Sequence, residues 1–327
     1  MDPIIREWPR VAVIVLNWNG WKDTLECLES LRHLDYPAFK TILVDNGSTN
    51  DSVARIEEWR PGKMGGTELT ILQTGENLGF AGGNNVGIRH ALDAGFDFVW
   101  LLNNDTIVDK RSLIELVGAA RTDEAIAVVG SLILYQRSPD KINSAGICVG
   151  RFGRQARLLG LNRDKTEREF LQHREVDAVS GCSMLLQARA LRQVGLLDER
   201  YFLYLEEVDL CTRLRQQGFR CWFVPESIVF HKQWGSIQPY PELADYYLSR
   251  SQVLYIRKFS SGLHALLDHA LFFGKYLPLV LLRSLRIRDF SCFKAFRLGM
   301  RHGFSGRFDY RWPFKARRGS ERRRVNG

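Results

Sequence analysis

The stretch Val99–Asp109, which reads VWLLNNDTIVD, decides how the rest of the chain is interpreted. The apolar run Phe98–Leu102 stops abruptly at polar residues, and such a run is typical of a central strand in a parallel sheet. Ligands of open α/β sheets gather at the carboxyl ends of the strands. The pattern therefore places Asp105 at a ligand site, where a carboxylate among amide oxygens favours Mg²⁺ or Mn²⁺. The alternative is that Asp105 only caps a helix that begins near Asp109 or Lys110.

Predicted strands and helices alternate on the N-terminal side of this stretch. Apolar and β-branched runs predict the strands, and apolar residues three or four positions apart predict the helices. The predicted strands are Val11–Leu16, Thr41–Val44, Glu68–Gln73 and Phe98–Leu102. The predicted helices are Lys22–Arg32, Ser52–Trp59 and Asn84–Ala94, the last preceded by a glycine-rich turn at Asn77–Gly83. This alternation indicates an α/β fold with a Rossmann-like, doubly wound and mostly parallel sheet.

The rhythm of the sequence changes after a further strand predicted at Ile126–Leu134. We expect a hairpin or a partly mobile loop at Lys141–Gly160 and an exposed loop or lid at the densely charged Asn162–Arg174. Beyond these the patterns predict a strand at Val176–Gln187 broken by Ser180-Gly181-Cys182, a helix at Glu206–Gln217, and short strands at Arg220–Val224 and Ile228–His231. No repeat or low-complexity linker interrupts the chain from Val11 to Trp234, which we interpret as one domain.

Two polar segments follow other predicted strands. Asp45 ends one strand and can accept hydrogen bonds from a base or from ribose hydroxyls, although Asp-Asn-Gly-Ser is also an ordinary turn. Glycines in Asn77–Gly83 would let the backbone approach a ligand at a helix N-terminus. A dinucleotide fingerprint should instead follow the first strand, so we do not expect a hydride-transfer enzyme.

Three acids cluster at a predicted helix start: Glu206, Glu207 and Asp209. The cluster can be explained by structure alone, because the helix dipole favours acids in a first helical turn. Repulsion or burial would raise one pKa of the Glu206/Glu207 pair towards that of a general base, whereas Asp209 could hold Arg213 four residues later. His231, at a strand end, is either a structural histidine, a second metal ligand or a phosphate contact.

The length and composition of the chain limit which kinds of protein it can be. The 327 residues suffice for one large α/β domain or one domain with an appendage, and 45% apolar and 25% charged residues are typical of a globular protein. The six cysteines have neither zinc-ligand nor redox-motif spacing, which favours a reducing, cytoplasmic compartment. Met1–Arg10 lacks the apolar segment of a signal peptide.

The net charge of +9 is concentrated near the C-terminus, where residues 283–327 hold fourteen Lys or Arg against three acids. A basic segment of this kind suits an anionic membrane or nucleic acid. The preceding apolar stretch Leu263–Leu282 contains His264, Asp268 and Pro278, which make it a poor membrane span and a better membrane-surface helix. The alternative is a core helix followed by a solvated tail.

Six segments, in order, resemble the family 2 inverting glycosyltransferases with the GT-A fold, and in particular their rhamnosyltransferase-like branch. The segments cover about Val11 to Ser236: Val13–Asn19, Val44–Ser48, Asn77–Asn84, Leu101–Asp105, Gly181–Met184 and Tyr204–Cys211. The resemblance implies a GT-A domain over residues 1–236 and a helical, basic, membrane-associating region over 237–327. It also implies a nucleotide-sugar donor that contacts Asn17, Asn19, Asp45, Asn77, Gly82, Asn103 and Asn104.

The same resemblance implies the catalytic roles. Asp105 matches the metal-binding last position of the family's Asp-x-Asp motif, and His231 a histidine that contacts metal or diphosphate. Glu207 stands at the position of the catalytic base, usually Asp, and Glu206 precedes it. Two departures matter: Asn103 replaces the first Asp of the metal motif, and the base is a longer Glu, so that Glu206 and Glu207 could exchange roles.

The implied reaction moves a sugar to a hydroxyl of a glycan or lipid-linked glycan at the inner face of the cell membrane, in cell-surface polysaccharide synthesis. By resemblance the donor is dTDP-rhamnose, with uridine- and guanosine-diphosphate sugars as the alternatives. A nucleotidyltransferase is one alternative, but Asn17–Gly20 lacks the glycine-rich, basic phosphate loop it needs. Nucleic-acid binding through the tail is the other, motivated by aromatic residues among the cations. We expect no nucleic-acid partner overall.

Overall fold

The computed structural model describes residues 8–59, 68–232 and 241–308. The strands in these ranges are β1 Val11–Asn17, β2 Phe39–Asp45, β3 Leu69–Gln73, β4 Phe98–Asn103, β5 Thr106–Val108, β6 Ile126–Tyr135, β7 Ser138–Ser144, β8 Ile147–Val149, β9 Ala156–Leu158, β10 Arg174–Val176, β11 Ser183–Gln187 and β12 Arg220–His231. The helices are α1 Trp21–Leu31, α2 Ser52–Trp59, α3 Gly79–Asp93, α4 Ser112–Ala120, α5 Ala188–Val194, α6 Glu206–Gln216, α7 Pro241–Phe259, α8 Gly262–Ile287 and α9 Ser291–Ser305.

The main sheet has the strand order β10-β12-β6-β11-β4-β1-β2-β3. Its β4-β1-β2-β3 half is parallel, as helical crossovers between consecutive strands require. β11 runs antiparallel between β4 and β6, and β12 is parallel to β6. The α/β class and the mostly parallel sheet are therefore confirmed, with an antiparallel insertion in its second half.

Helices cover both faces of this sheet, and alternate residues of β1 enter different cores. Ala12 and Ile14 pack in the core beneath α3, α5 and α6, whereas Val11, Val13 and Val15 pack in the core beneath α1, α2 and α4. A strand buried on both faces must be apolar throughout, which explains its unbroken sequence. The sheet therefore presents the carboxyl end of β1 rigidly, beside that of β4.

The glycine-rich stretch Asn77–Gly83 is not a turn before a helix at Asn84, as predicted, because α3 already begins at Gly79. A Cβ at Gly83 would lie 2.5 Å from Cδ1 of Leu16, so glycine allows the helix to approach the sheet closely. Gly83 thus serves helix–sheet packing, whereas Gly79 at the start of α3 lines the cavity described below.

Two strand predictions were wrong in detail. Val176–Gln187 is not one broken strand, since β10 lies at the sheet edge against β12 and β11 lies between β4 and β6. The two strands predicted at Arg220–Val224 and Ile228–His231 are one strand, β12, whose register shifts between Val224 and Ile228. In both cases the bounds of the strands depend on pairing with strands distant in sequence, which local periodicity cannot predict.

The segment between these strands follows the predictions more closely. The expected hairpin within 141–160 is present as β8 paired with β9. Asn162–Arg174 is a mostly exposed loop with one 3₁₀ turn, fastened to the core by the buried ring of Phe170. Its role as a lid stays a prediction.

The C-terminal helices form a further layer, in which α7 packs lengthwise on α9 and α8 covers part of both. The predicted boundary at residue 236 lies outside the described residues and stays a prediction. Also outside them are Met1–Glu7, Gln233–Ser236, Tyr310, Trp312 and the basic residues of 309–327.

Candidate active site

One cavity of about 410 Å³ lies at the carboxyl ends of the strands and extends to the start of α6. Seven of the predicted site residues line it: Asn77, Asn103, Asn104, Asp105, Glu206, Glu207 and His231. The structure therefore brings the predicted metal residues and the predicted base to one space, although they are about a hundred residues apart in sequence.

Asp105 lies between β4 and β5, and strand pairing explains its contact with His231. β5 pairs antiparallel with β12 so that Thr106 is opposite His231, and Nε2 of His231 lies 3.1 Å from Oδ1 of Asp105. The capping alternative is wrong, because α4 begins only at Ser112 and it is the Asp109 carboxylate that accepts the Arg111 backbone N–H.

His231 is held in an acidic setting. Burial disfavours its charged form, but the neighbouring Cys182 and Asp105 outweigh this and raise the pKa of His231 above its usual value. Without a cation beside it, the charged form of His231 is thus the favoured one next to Asp105. Its other ring nitrogen, Nδ1, is buried without a hydrogen-bond partner within the described parts of the chain. A protonated donor of this kind suits a diphosphate oxygen, and the neutral ring suits a metal.

A divalent cation fits Asp105 and His231 only if a ligand completes its coordination. Across the residues that the structure describes, no group of three or more His, Cys, Asp or Glu side chains could hold a metal. Mg²⁺ and Mn²⁺ are commonly held by one or two protein carboxylates together with substrate phosphates. Two protein ligands beside an open cavity match that arrangement.

Glu206 and Glu207 line the cavity at the first turn of α6, and we call this part of the lining the second wall; Asp105 and His231 belong to the first wall. One carboxylate oxygen of each, Oε2, is buried without a hydrogen-bond partner among the described residues. Burial, and then the charge of Glu207, raise the pKa of Glu206 well above its usual value. Burial also raises the pKa of Glu207 to about 7, against the opposing backbone N–H groups of the helix start. Glu207 is therefore the carboxyl that exchanges a proton near neutral pH.

The residues before Glu206 adopt an unusual backbone. Phe202, Tyr204 and Leu205 all have left-handed φ angles, of 62°, 68° and 69°. Non-glycine residues in this conformation cost roughly 1–3 kcal/mol each unless the surroundings hold them. This strained turn, residues 202–205, aims the two glutamates into the cavity.

Helix α7 supplies the support for the strained turn. The Ser251 hydroxyl donates to the carbonyl oxygens of Leu203, at 3.0 Å, and Tyr201, at 3.4 Å. The Arg250 guanidinium, fully buried, donates to the Tyr201 and Arg200 carbonyls at 2.9 and 3.1 Å. α7 also contributes Leu243 to the cavity wall. Part of the C-terminal region is therefore structurally continuous with the site.

Asp209 has a structural role, and it pairs with Arg213 as the sequence predicted. Its Oδ2 accepts from Nε of Arg213 at 2.7 Å, and its Oδ1 accepts from the Tyr201 hydroxyl and lies 2.6 Å from Nζ of Lys258. It does not line the cavity. Asp209 therefore fixes α6 to its neighbours and leaves the chemistry to the glutamate pair.

Four residues predicted to contact the donor lie behind the cavity wall: Asn17, Asn19, Asp45 and Gly82. The Asp45 carboxylate accepts hydrogen bonds from the Asn17 amide, at 2.7 Å, and from the Ser48 hydroxyl and backbone N–H. Oδ1 of Asn19 accepts the backbone N–H groups of Thr49 and Asn50. These groups join the loops after β1 and β2, and their contact with a donor stays a prediction.

Of two other residues predicted to contact the donor, Gly82 does not line the cavity, whereas Asn77 does. Gly82 lies in the first turn of α3 against Leu78. Asn77 lines the cavity, and its Oδ1 accepts from the Asn46 amide at 3.1 Å and from the Gly79 backbone N–H at 2.8 Å. Side-chain amides therefore shape this part of the wall.

Several residues of the wall were not predicted as site residues, among them Trp18, Asn46, Phe80, Asn143, Cys182 and Leu243. Trp18, Asn46, Phe80 and Cys182 stand inside the segments that carry the family resemblance, which was the available signal. Nothing in the sequence around Asn143 or Leu243 indicates that they reach the cavity.

Solved structures with the same fold were found. The mannosyltransferase PcManGT of Pyrobaculum calidifontis, in complex with GDP-Man and Mn²⁺, superposes with a TM-score of 0.56 over 92% of this chain and 75% of that one. The sequences are 17% identical, so the likeness concerns the fold, and it confirms the predicted GT-A architecture.

Curated relatives are similar in sequence. The N-acetylglucosaminyl-diphospho-decaprenol L-rhamnosyltransferase of Mycobacterium tuberculosis is 31% identical over 58% of this chain and 65% of its own length. The low-salt glycan biosynthesis hexosyltransferase Agl10 of Haloferax volcanii is 26% identical over 64% of this chain and 62% of its own length. The match thus spans less than two thirds of these relatives.

The model of the family described as glycosyltransferase like family 2 matches residues 9–244, which include every residue of the cavity wall. This match covers well over half of the chain, and it agrees with the fold and with the acidic cavity described above. The chain therefore belongs to glycosyltransferase family 2.

Proposed function

We propose that the protein transfers a sugar from a nucleotide-diphosphate donor to a hydroxyl acceptor with inversion at the anomeric carbon. The observation that carries this proposal is the cavity whose two walls hold different chemistry. Asp105 and His231 occupy one wall, and Glu206 and Glu207 with unpartnered carboxylate oxygens occupy the other. A leaving diphosphate needs the first wall, and an attacking hydroxyl needs the second.

Glu207 acts as the base in this proposal. Its carboxylate accepts the proton of the acceptor hydroxyl as the oxygen attacks the anomeric carbon, while the bond to the diphosphate breaks on the opposite face. Burial, and then the charge of Glu207, raise the pKa of Glu206 and so favour its protonated form. These shifts support Glu207 rather than Glu206 as the base, since only one of two adjacent buried carboxyls ionises readily.

Asp105 and His231 hold the diphosphate side. When bound there, a divalent cation such as Mn²⁺ or Mg²⁺ would neutralise the negative charge that grows on the leaving group. His231 is positioned to donate to a phosphate oxygen or to ligate the cation, and Asp105 fixes its ring. Asn103 and Asn104 offer amide groups nearby, with Nδ2 of Asn104 donating to Thr24 Oγ1 at 2.9 Å.

The name of the rhamnosyltransferase relative supports a rhamnosyl donor, for which we propose dTDP-rhamnose, and a lipid-linked glycan as the acceptor. A panel of nucleotide diphosphates, each with and without Mn²⁺, tests the donor side by thermal shift. We expect one nucleotide to raise the Tm more than the others, and Mn²⁺ to increase that shift. No nucleotide-dependent shift in any combination would contradict the proposal.

A lipid-linked acceptor would support a peripheral location at the cytoplasmic face of the membrane. Among the described residues one helix, α8, has the length and apolar composition to cross a membrane, with a mean hydropathy of 1.4. We favour attachment to the surface over a span, for reasons given below. The nucleotidyltransferase alternative loses support, because the family that matches residues 9–244 is one of glycosyltransferases.

A further inference from the structure

Helix α8 exposes a continuous apolar stripe, which we call the leucine stripe: Leu263, Leu267, Leu271, Leu282 and Leu285. Spacings of three, four and eleven residues place all five on one helix face, with Gly274 and Pro278 between them. The helix is 26 residues long, roughly 39 Å at 1.5 Å per residue. An apolar surface of this length is unusual on a soluble protein unless something covers it.

The opposite face of α8 is fixed to the protein. Phe272 and Val280 are buried in a core shared with α7 and α9. Asp268 is also buried, and its carboxylate accepts from the Gly153 backbone N–H at 2.6 Å and from the Ser260 hydroxyl at 2.6 Å. A helix bonded along one side in this way is suited to lie on a bilayer, because crossing it would expose these polar contacts to lipid.

The hairpin β8–β9 continues the stripe towards the cavity. Its tip lies against α8: a Cβ on Gly153 would be 3.4 Å from Cβ of Leu271, and Gln155 accepts from Nζ of Lys275 at 3.0 Å. Phe152 at this tip has an exposed ring. The base of the same hairpin carries Leu158, which lines the cavity.

We propose that the leucine stripe and Phe152 dock together on an anionic lipid bilayer, so that the β8–β9 hairpin leads from the bilayer surface to the cavity. This inference rests on the proposed function in one respect, since it explains how an acceptor attached to a membrane lipid reaches Glu207. We infer that an anionic bilayer covers the stripe, because basic residues lie near it in the sequence and would be attracted to anionic lipid headgroups. Arg286 and Arg288 are exposed at its C-terminal end, and fourteen Lys or Arg lie in residues 283–327 against three acids.

Vesicle sedimentation with the full chain tests this inference without any donor or acceptor. The vesicles contain equal parts of phosphatidylcholine and phosphatidylglycerol. The variants are Leu282→Glu on the stripe and Phe152→Glu on the hairpin, with Leu171→Glu as the matched control. These side chains are 62%, 58% and 53% exposed, so each variant puts a glutamate in place of an exposed apolar side chain.

We expect Leu282→Glu and Phe152→Glu each to weaken vesicle binding about tenfold or more, since each loses the insertion of an apolar side chain. Leu171→Glu should bind like the wild type. If Phe152→Glu bound vesicles as well as the wild type, the hairpin would not belong to the docking surface. If both variants did so, the docking surface itself would be ruled out. The inference also fails if the wild type forms a dimer without lipid that Leu282→Glu dissociates, because a second copy then covers the stripe.

The nucleotide panel separates failure of this inference from failure of the proposed function. Variants that lose vesicle binding but keep the nucleotide-dependent shift in Tm support a docking role apart from the chemistry. Vesicle binding that depends on Leu282 and Phe152 would stand even if no nucleotide bound.

Discussion

The two walls of the cavity are built by different means. Asp105 stands at the end of a buried central strand, and the pairing of β5 with β12 brings His231 to it. Glu206 and Glu207 follow a strained turn that depends on α7, a helix from the C-terminal region. The first wall is therefore rigid through the sheet, whereas the second is only as well placed as its supporting helix. Substitutions should affect the two walls in distinguishable ways.

The largest effect is expected at Glu207. Glu207→Gln keeps the size of the side chain but removes the base, so transfer should fall about 1,000-fold. Glu206→Gln should cost less, because burial and the charge of Glu207 raise the pKa of Glu206 and favour its protonated form. Transfer rates at saturating donor measure both variants, and a larger loss for Glu206→Gln would reverse the assignment of the base.

Asp105→Ala should act on the other wall. It removes the carboxylate of the proposed cation site and the partner of His231, so we expect transfer to fall about 100-fold and the Mn²⁺ requirement to rise. Titration of the rate with Mn²⁺ measures this shift. An unchanged metal dependence would show that the cation, if used, binds elsewhere.

Ser251→Ala tests whether α7 positions the base. Loss of the bonds to Leu203 and Tyr201 should let the strained turn relax, lowering kcat about fivefold with little change in donor KM, as loss of one hydrogen bond of about 1 kcal/mol permits.

The matched control for this variant is Ser249→Ala. Ser249 is buried on the same helix and donates to the Tyr246 and Phe296 carbonyls, away from the turn. Both variants should lower the Tm similarly, but only Ser251→Ala should lower kcat. Equal kcat losses in both would mean that α7 acts through general stability alone.

The pH dependence of kcat follows from Glu207. Its carboxylate is the active form and its pKa is raised to about 7, so kcat should rise through neutral pH and level off above it. In Glu207→Gln the residual rate should lose this rise. A wild-type profile that is flat from pH 5 to about 9 would contradict the role.

A smaller effect concerns stability. Burial raises the pKa of Glu207 from 4.5 to about 7, so between these values the folded state binds more protons than the unfolded state. Its contribution to the free energy of unfolding thus falls as pH rises through this window. Glu207→Gln removes that penalty, and its Tm at pH 8 should exceed the wild-type value by several °C, with no gain at pH 4. Calorimetry at the two pH values checks the sign.

The two walls also differ in how much of their structure could be predicted from the sequence. Phe98–Leu102 followed by polar residues was sufficient to place Asp105, because a buried strand and its end are local features. The acidic pair was visible too, but its strained turn and its support by Arg250 and Ser251 were not, since the helix that holds them lies some fifty residues away. The start of α3 was missed because helix propensity disfavours glycine, whereas close packing on Leu16 requires it.

The most direct test of the two-wall account compares nucleotide binding by Glu207→Gln and Asp105→Ala. Isothermal titration in the presence of Mn²⁺ would use the nucleotide diphosphate that gives the largest thermal shift with the wild type. The account predicts that Glu207→Gln binds it with wild-type affinity and that Asp105→Ala binds it at least tenfold more weakly. Wild-type affinity in Asp105→Ala, or a comparable loss in Glu207→Gln, would contradict the division of labour between the walls.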